Sequence, residues 1–162
     1  MKTLFLVRHA KSSWAEADLG DRERPLAERG RRDAPAMGRH LHKLGARVDL
    51  MVSSPALRAL STARLLARQL GYPRREIAVE ERLYPGTPAQ LLRVIHRLET
   101  RLRHVMLSGH NPGMSELAHG FGGEITHLPT CAVAELRFEA DTWNELGRGT
   151  CVLVRFDYPK GI

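Results

Sequence analysis

The sequence predicts an α/β fold in which helices cover both faces of a mainly parallel central sheet. Residues 2–8 (KTLFLVR), 48–53 (VDLMVS) and 104–109 (HVMLSG) are short apolar runs that end in polar or small residues, as buried strands do. A helical pattern follows each run, and strands separated by helices favour parallel pairing through crossover connections.

The first run opens the chain as MKTLFLVRHAK. Arg8 and His9 interrupt it well short of signal-peptide length, so it reads as a strand. Residues 27–44 form the first helix, with Ala34, Met37, Leu41 and Leu44 on one face; Pro35 should kink it or mark its true start. After the second strand, Ser54 and Pro55 read as an N-cap followed by proline at the first helical position. Leu57, Leu60, Ala63, Leu66, Ala67 and Leu70 repeat at helical spacing, and Gly71 stops the helix. Residues 88–99 form another helix through Leu91, Val94, Ile95 and Leu98. After the third strand, Asn111 and Pro112 repeat the same start signal, with Leu117, Ala118 and Phe121 on one face and Gly122 beyond. Residues 132–138 and 151–156 read as late strands added antiparallel at the sheet edge.

A chain of 162 residues without repeats or linkers fits one domain, 1–162. Its 43% hydrophobic and 27% charged residues set disordered and fibrous classes aside. No run approaches the roughly 20 apolar residues that span a bilayer, so a soluble, cytoplasmic protein is expected. Cys131 and Cys151 lack zinc or disulfide spacing and read as free thiols.

The net charge of +7 favours an anionic partner, whether nucleic acid, a membrane surface or a phosphorylated substrate. The excess is mostly Arg, in stretches such as DRERPLAERGRR and RLETRLR, which read equally well as solvated helix faces. Nucleic-acid binding wants aromatics interleaved with basic residues; aromatic content is 6% and no such interleaving occurs. His40 and His42, two apart on a helix, face different directions, and His96, His104, His119 and His127 show no ligand spacing, so no metal site is expected.

In open sheets of this kind ligands bind beyond the carboxyl ends of the strands, where helix N-termini gather. Arg8 and His9 stand at the first strand end, Arg58 in the opening turn of the helix after the second, and His110 after the third. Taken singly, His9 would be a hydrogen-bonded strand-end histidine, Arg58 a surface helix arginine and His110 a neighbour of a helix cap. Together they are poor core packing, because unpaired charges and imidazoles there cost several kcal/mol without an anion. A phosphoryl group suits them: two guanidinium groups can grip its oxygens and one imidazole is left to attack in line.

LVRHAKSSW, SSPALRALSTA and SGHNPG resemble, in order, the three signature segments of the histidine phosphatase superfamily. RPLAERGRRDA and LYPGTPAQLL resemble its small phosphohistidine phosphatases of the SixA type, so the resemblance runs from about residue 2 to about residue 121. It implies a phosphoglycerate mutase-like three-layer fold and a metal-independent phosphohydrolase without cofactor. It further implies that His9 is the nucleophile that becomes phosphorylated, while Arg8, Arg58 and His110 bind and stabilise the phosphoryl group. Ala10 stands where the superfamily usually has Gly.

The superfamily generally takes a general acid from a carboxylate after the second motif. Glu81 is the candidate and Glu80 the second choice, although Arg82 occupies the position directly before Leu83 and Tyr84. Weak acid provision fits a phosphoramidate, whose nitrogen can leave already protonated. Ser12 and Asn111 are candidate phosphate contacts, as is Lys11, each with an equal reading as loop structure. Arg24 either meets substrate or sits on a solvated loop, and Trp14 either lines the mouth of the site or simply packs.

The expected partner is thus a phosphorylated substrate, a phosphohistidine-bearing signalling or transfer protein first and small phosphomonoesters second. A phosphate-binding module that turns over poorly would show a damaged motif, and the four central residues are intact. A phosphoglycerate mutase would need insertions for which this chain has no room.

Overall fold

The computed structural model describes all 162 residues. Its strands are β1 (Lys2–Arg8), β2 (Leu50–Ser53), β3 (Ala78–Val79), β4 (His104–Gly109), β5 (Val133–Phe138) and β6 (Cys151–Asp157). Its helices are α1 (Glu28–Lys43), α2 (Leu57–Leu70), α3 (Pro88–His96) and α4 (Gly113–Gly122). They form one sheet of order β3-β2-β4-β1-β5-β6. β1, β2, β3 and β4 run parallel, while β5 pairs antiparallel with β1, and β6 antiparallel with β5.

Alternation along β1 sends side chains into two cores. Leu4 and Leu6 join Val105, Leu107, Leu91, Ile95 and Phe121 under α3 and α4. Phe5 and Val7 join Met51, Met106, Met37 and Leu66 under α1 and α2. Helices therefore cover both faces of the mainly parallel sheet, as its near-continuous apolar strands require.

Several boundaries differ from the expectation. α1 runs through Pro35, which neither starts nor ends it. β3, only two residues long, gave too little period to read. The stretch to residue 99 stays helical only to His96. Both proline-marked helix starts come late, α2 by two residues and α4 by one. α2 begins at Leu57 because the Ser54 hydroxyl accepts from the Ala56 N–H at 3.1 Å and builds a turn first. α4 begins at Gly113; Asn111 still serves that first turn, its Oδ1 accepting from the Ser115 N–H at 3.2 Å.

Two glycines bring loops close around the sheet's carboxyl edge. A Cβ on Gly113 would lie 1.9 Å from the Gly86 carbonyl oxygen, and one on Gly30 would lie 2.2 Å from that of Lys11. Only glycine permits these approaches.

Candidate active site

Arg8 ends β1, and the backbone leaving it is pinned on three sides. The His9 N–H donates to Gly109 O at 3.0 Å, the Cys131 N–H reaches both Arg8 O and His9 O at 3.1 Å, and the Ala10 N–H donates to Thr62 Oγ1 at 2.9 Å. The Thr62 hydroxyl itself donates to Arg58 O at 2.8 Å, tying the strand end to the first turn of α2. Ala10 is fully buried, so the departure from glycine there leaves no room for a larger side chain.

His9, Arg58 and His110 are all buried, and the two imidazole centroids lie 5.2 Å apart. His9 Nδ1 sits 2.8 Å from Ala10 O. A carbonyl can only accept, so Nδ1 carries the hydrogen and Nε2 keeps its lone pair. Burial, then the Arg58 and Arg8 charges, hold the His9 pKa down to about 4 against the pull of that carbonyl. His110 is held down to about 3 by burial, then by His9 and Arg58. Its Nε2 pairs with Ser54 Oγ at 2.7 Å, while Nδ1 is buried without a protein partner.

The guanidiniums are braced from behind. Arg8 Nη1 donates to Leu128 O at 3.1 Å. Arg58 donates from Nη1 to Asp21 O at 2.6 Å and from Nη2 to Asp21 Oδ2 at 3.0 Å. Asp21 also accepts from the Tyr84 hydroxyl at 2.6 Å and from Arg24 Nε at 3.2 Å. The Tyr84 bond, with those from the arginines, holds its carboxyl down to about 2. Arg8 Nε and Arg58 Nε remain buried without a partner.

Arg8, His9, Arg58 and His110 line one cleft of about 250 Å³ with Lys11, Ser12, Trp14, Arg24, Asn111 and Thr130. No Asp or Glu lines it. Of the other anticipated contacts, Ser12 accepts from Arg24 Nη1 at 2.9 Å. Asn111 has its amide on Leu128 O at 2.8 Å and its carbonyl on Ser115 Oγ at 2.7 Å, so its polar atoms serve the loop. Arg24 is buried beneath Trp14, 3.5 Å from the ring centroid, and Trp14 is itself 72% exposed at the cleft mouth. Glu81 lies away from the cleft lining; its side chain is 72% exposed and its carboxylate pairs with Arg22 at 3.0 Å. Glu80 pairs with Arg82 at 3.0 Å.

Asp21, Tyr84, Ser54 and Thr62 are the groups sequence reasoning missed. Asp21 is hidden in the charge run DRERP, and Ser54 carries the sequence pattern of a helix cap. Cys131 and Cys151 are free thiols, and burial, then Asp33, pushes the Cys131 thiol up to about 12, which keeps it protonated. No group of three His, Cys, Asp or Glu side chains is arranged to hold a metal ion, and no helix is long and apolar enough to cross a membrane.

The family model of the histidine phosphatase superfamily (branch 1) matches residues 4–84. An uncharacterized protein of Mycobacterium tuberculosis (strain ATCC 25618 / H37Rv) is 32% identical over 165 residues, 95% of this chain and 100% of the relative. Among solved structures, SixA of Agrobacterium tumefaciens aligns with a TM-score of 0.83 at 27% identity, covering 98% of both chains. The protein histidine phosphatase SixA complexed with tungstate aligns at 0.76, covering 96% of this chain and 94% of that one; at 22% identity it speaks for the fold alone. With basic and imidazole side chains from three strand ends gathered in one cleft, these matches place the chain in the histidine phosphatase superfamily, as a phosphatase with a SixA-like fold.

Proposed function

We propose that this phosphatase works through a phosphohistidine intermediate on His9 and that its preferred substrate is a phosphohistidine borne by a protein. One observation carries the reading. Of the four buried side-chain polar atoms that lack a partner in the whole molecule, three are Arg8 Nε, Arg58 Nε and His110 Nδ1. Buried groups of this kind are normally satisfied, and a phosphoryl group supplies acceptors to all three.

The reaction divides the work accordingly. The His9 Nε2 lone pair attacks phosphorus while the P–N bond breaks; the substrate ring, protonated beforehand on its other nitrogen by solvent, takes the bonding pair and departs as neutral imidazole. Ala10 O stabilises the charge that His9 gains by accepting from Nδ1–H. Water then attacks the phosphorus, inorganic phosphate leaves, and His9 is restored. Arg8, Arg58 and His110 hold the oxygens in both steps. For His110 to donate from Nδ1, the Ser54 hydroxyl must donate to Nε2 while it accepts from the Ala56 N–H, which the two distances permit.

The leaving group decides between substrates. An alkoxide needs a proton from a nearby acid; Asp21, bound to Arg58 and Tyr84 and held down to about 2, is ionised, and Glu81 is committed to Arg22 at the surface. A phosphoramidate needs no such donor from the protein, because its ring takes its proton from solvent, and the likeness to SixA of Agrobacterium tumefaciens at 27% identity supports the same reading. A broad phosphomonoesterase is the second reading and is poorly served by this site.

The test is phosphate release from a phosphohistidine protein and from an aryl phosphate, with chelator present, for wild type and His9→Ala. Metal-independent turnover that favours the protein and vanishes in the variant is expected. Turnover that persists in His9→Ala, or a folded wild type acting on neither substrate, contradicts the reading.

A further inference from the structure

The cleft at His9 holds about 250 Å³, less than the roughly 300–1,000 Å³ of sites that enclose a whole small ligand. A phosphoryl group and its imidazole fill such a volume. If the substrate is a phosphohistidine protein, the reading on which this inference rests, its body lies outside the cleft and needs a place to rest.

The loop Leu128–Cys131 is the wall between the cleft and the surface beyond. On its inner side Leu128 O receives Arg8, and Cys131, at φ 62°, donates its N–H to the Arg8 and His9 carbonyls. On its outer side Pro129 and Thr130 form a groove with Arg29, Asp33, Tyr158, Pro159 and Lys160. Thr130 belongs to both, so the groove flanks the cleft across this loop. Its surface is built like a binding face. Arg29 donates to Thr130 Oγ1 at 3.3 Å, two prolines stiffen the walls, and Tyr158 is 39% exposed beside Phe156 at 5.4 Å between centroids. Exposed aromatics with Arg beside a polar rim are common features of recognition surfaces. Arg29 pairs with Asp33 at 3.7 Å, which leaves Lys160 in the groove and the exposed Lys11 on the cleft side of the wall as the unpaired positive charges.

We infer that this groove docks the acidic surface of the protein that presents its phosphohistidine to His9. Adjacency to the cleft across Thr130 sets where the partner must lie, and the unpaired Lys160 and Lys11 set its chemistry. Such charges act mainly on encounter, so they raise the association rate and lose effect as salt rises.

The experiment is steady-state hydrolysis of a phosphorylated acidic histidine-phosphotransfer protein and of an aryl phosphate, comparing wild type with Arg29→Glu/Lys160→Glu and with Tyr158→Ala. None of these residues touches the phosphoryl site. The expected result is about a tenfold or greater loss of kcat/KM for the protein at low salt in the charge-reversed variant. That loss shrinks at high salt, while aryl phosphate turnover, which also reports correct folding, stays within twofold. Equal loss on both substrates, or none on the protein, overturns the docking site. A wild type that hydrolyses only the aryl phosphate refutes the protein-substrate reading and the docking site with it. A dimer in sedimentation that the charge-reversed variant dissolves assigns the groove to a second copy of the chain and also overturns the proposal.

Discussion

Ser54→Ala isolates the part of the site that fixes His110. The hydroxyl lies 2.7 Å from His110 Nε2 and accepts from the Ala56 N–H at 3.1 Å, and Ser54 is fully buried. Removing it leaves two buried polar groups without a partner, which costs on the order of 1–3 kcal/mol of stability. It also removes the group that puts the proton on Nδ1. A hydrogen bond worth about 1.4 kcal/mol corresponds to about tenfold in rate, so kcat/KM should fall about tenfold. Ser108→Ala is the control: that hydroxyl is equally buried and donates to Ala59 O at 2.8 Å without touching an imidazole. It should cost similar stability and little activity. The assay pairs thermal melts and kcat/KM with nitrogen NMR of His110, which reads the tautomer directly. Equal activity loss in both serine variants, or an unprotonated Nδ1 in wild type, refutes the reasoning.

His9 and His110 are held down to about 4 and about 3, so proton NMR should show neither imidazole titrating between pH 5 and 8; a His9 midpoint near 6.5 contradicts the geometry. Because the unfolded chain then binds more protons than the folded one below pH 6.5, stability should be flat between about pH 6.5 and 8 and fall as pH drops from 6.5 toward 3, by several kcal/mol in total, read as the pH dependence of the melting midpoint. Gly113→Ala would drive a Cβ to 1.9 Å from Gly86 O and should cost roughly 1–3 kcal/mol in chemical denaturation, whereas Gly120→Ala on the same helix, with nothing within 4 Å, should be neutral or stabilising. Glu81→Gln, at an exposed pair with Arg22, should change phosphohistidine turnover less than about threefold; a loss of about a hundredfold, within the range typical of a general acid, would restore Glu81 to that role.

What the sequence made legible follows from period and position. The runs at 2–8 and 104–109 are strands at those bounds because each has an unbroken apolar centre, Leu4 to Val7 and Val105 to Leu107, buried on both faces. Arg8, His9, Arg58 and His110 stood out because strand ends in a parallel sheet face one edge, and the structure brings all four to one cleft. The bracing residues had no such signal. Asp21 reaches Arg58 across 37 positions, and Tyr84 reaches Asp21 across 63, so only the folded loops reveal the pairing. Ser54 was misread because a serine before proline carries the same local pattern whether it caps a helix or, as here, holds a turn and a distant imidazole.

The central claim is that His9 carries the phosphoryl group between its two steps. Rapid quenching of the enzyme with a radiolabelled phosphohistidine protein, followed by peptide mapping, tests it most directly. The account predicts an acid-labile, alkali-stable label on the peptide containing His9, formed before phosphate is released and absent in His9→Ala. Phosphate release with no labelled enzyme at any time, or label on another residue, would contradict it.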